Sequence, residues 1–289
     1  MALTERQRQR QARARADWTP PGPVPPGDQG EPDLVPGPDE TLDAFAGHWR
    51  LFQLRGGHRY STDDLLGAWY AWDTMRLLDR TPANALDLGT GIGSVGLFVA
   101  WKYPALHLTG IEAQARSLSL ARRSARYNGV AARARYLEGD LRELSMTVGA
   151  FELVTGSPPY WDRADGTVSD APQKGPCRFE FRGGVEGYCE AARAALAPQG
   201  VFAVVFDGRQ TARLEVAAEA AGLEIFRLRE VVSREGDPPL IVVAAMARAG
   251  EAPWPRLDEP ALLLRDAEGK RTDAFRALRE AMGLPPGAR

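Results

Sequence analysis

Asn84-Ala85-Leu86-Asp87-Leu88-Gly89-Thr90-Gly91-Ile92-Gly93 is the stretch whose reading decides the fold. A short apolar run ends in glycines at every second position and passes into the helix-like SVGLFVAWK, so it reads as strand, tight turn and helix start. Glycines at 89, 91 and 93 permit the turn and let a ligand approach the backbone, where the first N–H groups of a helix are without partners.

Downstream the same alternation repeats. LHLTGIE, ARYLEG, FELVTG, VFAVVF, LEIFRLREVV and LIVVAAM are further strand candidates. Helical patterns fall at about 94–103, 114–127, 185–197 and 209–221, the second ending at Asn128-Gly129 and the last at Gly222. Strands alternating with helices predict an α/β fold: a mostly parallel seven-stranded sheet with helices on both faces. The last two strands have no helix between them, which predicts a terminal antiparallel hairpin. Upstream, Ser61 and Asp64 form a capping-box arrangement ahead of LLGAWYAWDTMRLLD, a helix apolar enough to pack on a sheet.

Length and composition bound the rest. The 289 residues, 44% hydrophobic, suffice for one catalytic domain with appendages. Residues 1–40 join an Arg-rich start (Arg6, Arg8, Arg10, Arg13, Arg15) to PPGPVPPGDQGEPDLVPGPDE, which is too poor in apolar surface to offset ordering and is expected to be a disordered tail. The domain is expected over 41–248, with 249–289 a C-terminal extension. The net charge of −2 provides no global basic field, so any grip on nucleic acid has to be local. Cys177 and Cys189 with three scattered histidines form no metal-ligand pattern, and metal-free chemistry is expected. No run reaches the roughly 18 apolar residues of a membrane span, and no apolar segment follows the basic start, so the expected location is cytoplasmic.

A glycine turn alone is compatible with many α/β proteins. Glu112, closing the next strand in TGIEA, is placed to bind ribose hydroxyls, and the pair still fits NAD. Asp87, just before the glycines, suits the methionine amino group of S-adenosylmethionine (SAM) and repels a pyrophosphate, which favours SAM over a dinucleotide. Asp140 in LEGDL is placed to accept from an adenine amino group, and reads equally well as a helix cap. Ser157-Pro158-Pro159-Tyr160 follows the fourth strand, at the sheet edge where open α/β folds bind ligands. Two prolines fix the backbone and remove two N–H donors, leaving the Pro158 carbonyl as an acceptor suited to an amine; the alternative is a rigid surface turn.

These residues resemble the class I SAM-dependent methyltransferases with an [NDS]-PP-[YF] motif, whose fold is Rossmann-like. Within them the chain looks most like the bacterial tRNA-Val adenine N6-methyltransferases, through RYSTDDLL, DLGTGIG, the IE pair, the Asp of EGD, and SPPY, over about residues 50–247. The resemblance implies that Tyr60, Asp87, Gly89, Gly91, Glu112 and Asp140 line a SAM site and that Ser157, Pro158 and Tyr160 handle the substrate amine, that of a tRNA base. The family usually has Asn where this chain has Ser157, a weaker acceptor with more rotational freedom. SPPY alone resembles cytosine-N4 DNA methyltransferases, whose separate target-recognition region has little room here.

Such a site works by alignment. Acceptors at Ser157 and the Pro158 carbonyl favour a pyramidal nitrogen, Tyr160 stacks on a flipped base, and the amine is held in line with the methyl group at about 3–3.5 Å. Lys174, Arg178, Phe179, Phe181 and Arg182 in the loop over 161–184 suit a nucleic-acid contact or a solvated lid equally. The rival readings are methylation of a protein glutamine amide, of cytosine N4 or guanine N2 in rRNA or DNA, and a non-catalytic RNA-binding module.

Overall fold

A computed structural model describes residues 18–143, 150–160 and 184–287. The Arg-rich start and the basic-aromatic loop lie outside the described residues.

The expected strands form β3 (Asn84–Leu88), β4 (His107–Glu112), β5 (Ala134–Glu138), β6 (Phe151–Gly156), β7 (Leu196–Asp207), β8 (Leu223–Val232) and β9 (Pro239–Arg248). An eighth, β10 (Leu257–Leu263), adds beyond the expected seven and gives the order β10-β8-β9-β7-β6-β3-β4-β5. β9 is antiparallel to both β7 and β8, as a terminal hairpin requires, and the other neighbours run parallel. The helices are α1 (Thr62–Leu77), α2 (Ser94–Lys102), α3 (Ala115–Tyr127), α4 (Val185–Ala195), α5 (Thr211–Ala220) and α6 (Asp273–Ala281). Two apolar cores lie on opposite faces of the sheet: one holds Leu66, Phe98, Leu120 and Val205, the other Leu86, Cys189, Phe202 and Leu214. The alternation of β7 puts Val205 on the first face and Phe202, Val204 and Phe206 on the second.

The start of α1 follows the sequence reading. Asp63 N donates to Ser61 Oγ at 3.2 Å, and Ser61 N donates to Asp64 Oδ2 at 2.6 Å, a capping box closed by Asp in place of the usual Glu.

The described residues on either side of 41–248 pack on the domain. Residues 18–40, part of the stretch expected to be a tail, meet arginines on α3 through their acids. Arg123 Nη1 lies 2.8 Å from both oxygens of buried Glu40, Arg116 reaches Glu40 and Asp39, and Arg126 pairs with Glu31 and Asp33. Gly27 N also donates to Tyr127 O at 3.2 Å. Apolar content, on which the tail was expected, is blind to such charge pairing. Glu40 then opens a hairpin, β1 (Glu40–Ala44) and β2 (Arg50–Leu54), that the sequence did not disclose.

Residues 249–289, expected as a C-terminal extension, carry β10 and α6 and pack on the domain. β10 completes the sheet beside β8, and the side chain of Arg227, 2% exposed, bridges Asp73 of α1 at 2.6 Å and Glu259 of β10 at 3.0 Å. Gly47 N donates to Gly283 O at 2.7 Å, tying the end of the chain to the hairpin.

Candidate functional site

Parallel β3, β4, β6 and β7 bring their C-terminal ends to one edge, and the expected site residues lie along it. The glycine turn follows β3, Glu112 ends β4, and Ser157 follows β6, the direct neighbour of β3. Gly89, Gly91 and Gly93 have φ of 59°, 56° and 87°, the left-handed region that favours glycine. Their surroundings differ. A Cβ on Gly89 would lie 2.0 Å from the Tyr188 hydroxyl, and one on Gly93 would crowd Ala121 at 3.1 Å, so these two serve packing. At Gly91 the nearest neighbour is the Gly89 carbonyl oxygen at 3.9 Å, so this is the glycine of the three that a ligand can approach.

Glu112 is 8% exposed and joins the turn to the start of α3: Oε2 accepts from Gly91 N at 3.0 Å and Oε1 from Gln114 N at 2.7 Å. A carboxylate at the end of a strand, beside a glycine turn, is the group that suits the hydroxyls of a ribose. Open backbone at Gly91 beside this carboxylate fits a nucleoside ribose.

Asp87, 2% exposed, lies beneath the turn. Its Oδ2 accepts from Thr90 Oγ1 at 2.5 Å and Gly96 N at 3.1 Å, and its Oδ1 from Thr155 Oγ1 at 2.7 Å. Burial pushes its carboxyl up to about 6, against these three hydrogen bonds. In this arrangement Asp87 holds the turn together, with acceptor capacity left on Oδ1. Asp140 shows the capping alternative: Oδ1 accepts from Arg142 N at 3.0 Å, and Oδ2 pairs with Arg142 Nη2 at 2.6 Å. Tyr60 lies on the other flank, its N–H donating to Gln53 Oε1 at 2.8 Å, its hydroxyl to Ala44 O at 3.2 Å, and its ring edge-on to Phe45.

The motif is held from both sides. Pro158 is buried, and the Tyr160 ring lies edge-to-face on Phe206 with centroids 5.7 Å apart. The Tyr160 carbonyl accepts from Gln210 Nε2 at 2.8 Å, and the hydroxyl donates to Asp63 Oδ2 at 3.2 Å. Burial, and then Asp63, push the Tyr160 phenol well above its usual range, while a hydrogen bond with Ser157 opposes the shift. Asp63 itself is pushed up to about 6, by burial and by its neighbour Asp64. Asp64 is tied to the helix that follows the glycine turn, accepting from Ser94 Oγ at 2.6 Å at the start of α2.

Sequence reasoning missed Asp63, Thr155, Tyr188 and Gln210 as parts of this site. Asp63 had one signal, its place beside the capping acid. Thr155, Tyr188 and Gln210 meet their partners only through the tertiary fold and carry none.

Among known families, the one described as "Methyltransferase small domain" matches residues 74–172. The release factor glutamine methyltransferase of Bordetella pertussis is 30% identical over 63% of this chain and 71% of its own length. That of Deinococcus radiodurans is 29% identical over 53% of this chain, a match spanning 55% of the relative. The tRNA1(Val) (adenine(37)-N6)-methyltransferase of Porphyromonas gingivalis is 29% identical over 60% of this chain and 68% of its own length. The chain belongs to the class I SAM-dependent methyltransferases. A crystal structure of a predicted O-methyltransferase from Agrobacterium tumefaciens shares this methyltransferase's fold, with a TM-score of 0.59 at 20% identity over 77% of this chain and 97% of that one. SAM is the cofactor of the family, and the open Gly91 backbone beside Glu112 fits its adenosine. Among the described residues no group of His, Cys, Asp or Glu is arranged to hold a metal ion, and no helix is long and apolar enough to cross a membrane.

Proposed function

We propose that this methyltransferase modifies an exocyclic amino nitrogen of a base in RNA, with adenine N6 of a tRNA as the acceptor. The observation that carries the reading is the juxtaposition of Ser157-Pro158-Pro159-Tyr160, at the end of β6, with the glycine turn at the end of adjacent β3. In this reading Glu112 binds the ribose, Gly89 and Gly91 shape the turn that meets the cofactor, and Asp87 holds that turn and faces the methionine end. Tyr60 and Asp140 flank the cofactor. SAM supplies an electrophilic methyl group when bound.

An aromatic amine is a poor nucleophile because its lone pair is delocalised into the ring. The Ser157 hydroxyl and the Pro158 carbonyl accept its two N–H groups, which favours a pyramidal nitrogen with its lone pair aimed at the methyl. The Tyr160 ring stacks on the base, a contact worth about 1–3 kcal/mol. Holding the two reactants in line is the main source of rate, and no covalent enzyme intermediate is needed.

A second reading, a glutamine side-chain amide of a protein, is favoured by the similarity to release factor methyltransferases, since an amide presents the same NH2 group to the same acceptors. The deciding experiment incubates the protein with methyl-labelled SAM and either bulk tRNA or a recombinant release factor. Labelled N6-methyladenine in the tRNA digest supports the proposal. Label on the release factor alone replaces it with the amide reading, and another methylated base in the digest rejects adenine while keeping the amino acceptor.

A further inference from the structure

The first turn of α1 places two carboxylates side by side, and they face different partners. Asp64 reaches Ser94 Oγ at 2.6 Å, on the helix that follows the glycine turn, whereas Asp63 receives the Tyr160 hydroxyl at 3.2 Å. Asp63 is fixed in its turn because its N–H caps on Ser61 Oγ at 3.2 Å, and a carboxylate in the first turn of a helix is favoured by the helix dipole. The Tyr160 ring also has Phe206 against it, edge-on at 5.7 Å, and its carbonyl is held by Gln210. An edge-on ring contact leaves rotation about the Cα–Cβ bond only loosely determined, so the hydroxyl, which meets Asp63 and Ser157, is the polar handle that fixes where the ring points. Among the described residues, Asp64 from α1, Tyr160 from the motif and Asp207 from the end of β7 act on the charge of Asp63. Asp207 is neutralised by Arg209, at 2.5 Å.

We propose that Asp63 is a positioning residue for methyl transfer: by accepting from the Tyr160 hydroxyl it fixes the direction in which the ring that stacks on the acceptor is held. The inference rests on the amino-acceptor reading of the motif. Asp63 acts through Tyr160, so its removal lowers turnover and leaves SAM binding, made in the proposed reading at the glycine turn and Glu112, unchanged. The pair Asp63 and Asp64 thereby couples the substrate motif and the cofactor turn to one helix start.

The test is a double-mutant cycle with a second readout that needs no acceptor. Tyr160→Phe is expected to lower kcat about tenfold, the loss of one charge-assisted hydrogen bond; Asp63→Asn, whose amide oxygen still accepts but without the charge, is expected to lower it by a smaller factor, and the double variant to be no slower than Tyr160→Phe alone. SAM affinity by calorimetry stays at the wild-type value throughout. In protein carrying 3-fluorotyrosine, the Tyr160 resonance, assigned by its loss in Tyr160→Phe, is expected to shift and broaden in Asp63→Asn. Asp63→Ser, which retains a helix-start residue without the reach to Tyr160, gives the same result if Asp63→Asn does not fold. Multiplicative losses in the double variant, or a Tyr160 resonance that does not respond, overturn the proposal. If wild-type protein labels neither tRNA nor release factor, the functional reading fails, and the fluorine resonance alone decides the positioning role.

Discussion

Replacing Glu112 by alanine tests the cofactor site at the point where its geometry is most explicit. The carboxylate is 8% exposed and ties Gly91 N at 3.0 Å to Gln114 N at 2.7 Å, so it shapes the turn, and in the proposed reading it also accepts from the two ribose hydroxyls. Loss of a charged acceptor costs about 1.5–3 kcal/mol. At 1.4 kcal/mol per factor of ten, SAM affinity falls by roughly 10- to 150-fold. Glu112→Gln retains one acceptor oxygen and is expected to lose less. Calorimetric titration with SAM and with its demethylated product reads the effect directly, and both ligands should weaken alike because they share the ribose. A parallel melting curve separates a disordered turn from a lost contact. Unchanged affinity in Glu112→Ala would falsify the placement of the ribose at the end of β4.

Gly89→Ala drives a methyl group to 2.0 Å from the Tyr188 hydroxyl at a φ of 59°, so stability and SAM affinity should both fall, with partial recovery when Tyr188→Phe is added; a neutral substitution would show that the turn tolerates a side chain. Asp87 gives a pH dependence. Its folded value, pushed up to about 6 from 3.8, means the folded state holds its proton longer than the unfolded chain does. That contribution therefore lowers stability as pH rises, by about 1 kcal/mol between pH 5 and 7. Denaturant titrations at the two pH values should show this difference shrinking in Asp87→Asn, and an equal slope in both proteins would reject it. Glu40→Ala leaves Arg123 without its buried partner and should cost about 2–3 kcal/mol, read as a lower thermal midpoint; an unchanged midpoint would return residues 18–40 to the role of a solvated tail.

The alternation of apolar runs and helical patterns, the turn at Gly89 to Gly93, the capping box of Ser61 and Asp64, and the position of SPPY after the fourth strand were legible in the sequence. Each is a local pattern: a period of 2 or 3.6, a demand for positive φ, a cap three residues from its partner. Only the tertiary structure decided what is paired across long separations. It showed that Asp87 is held by Thr155 of β6, that Gly89 makes room for Tyr188 of α4, that β10 completes the sheet, and that acids before β1 fold onto the arginines of α3. The Asp63 contact with Tyr160 belongs to the same class, spanning 97 positions. Such contacts depend on which side chains the sheet order brings within about 3 Å, and a one-dimensional pattern holds no record of that order.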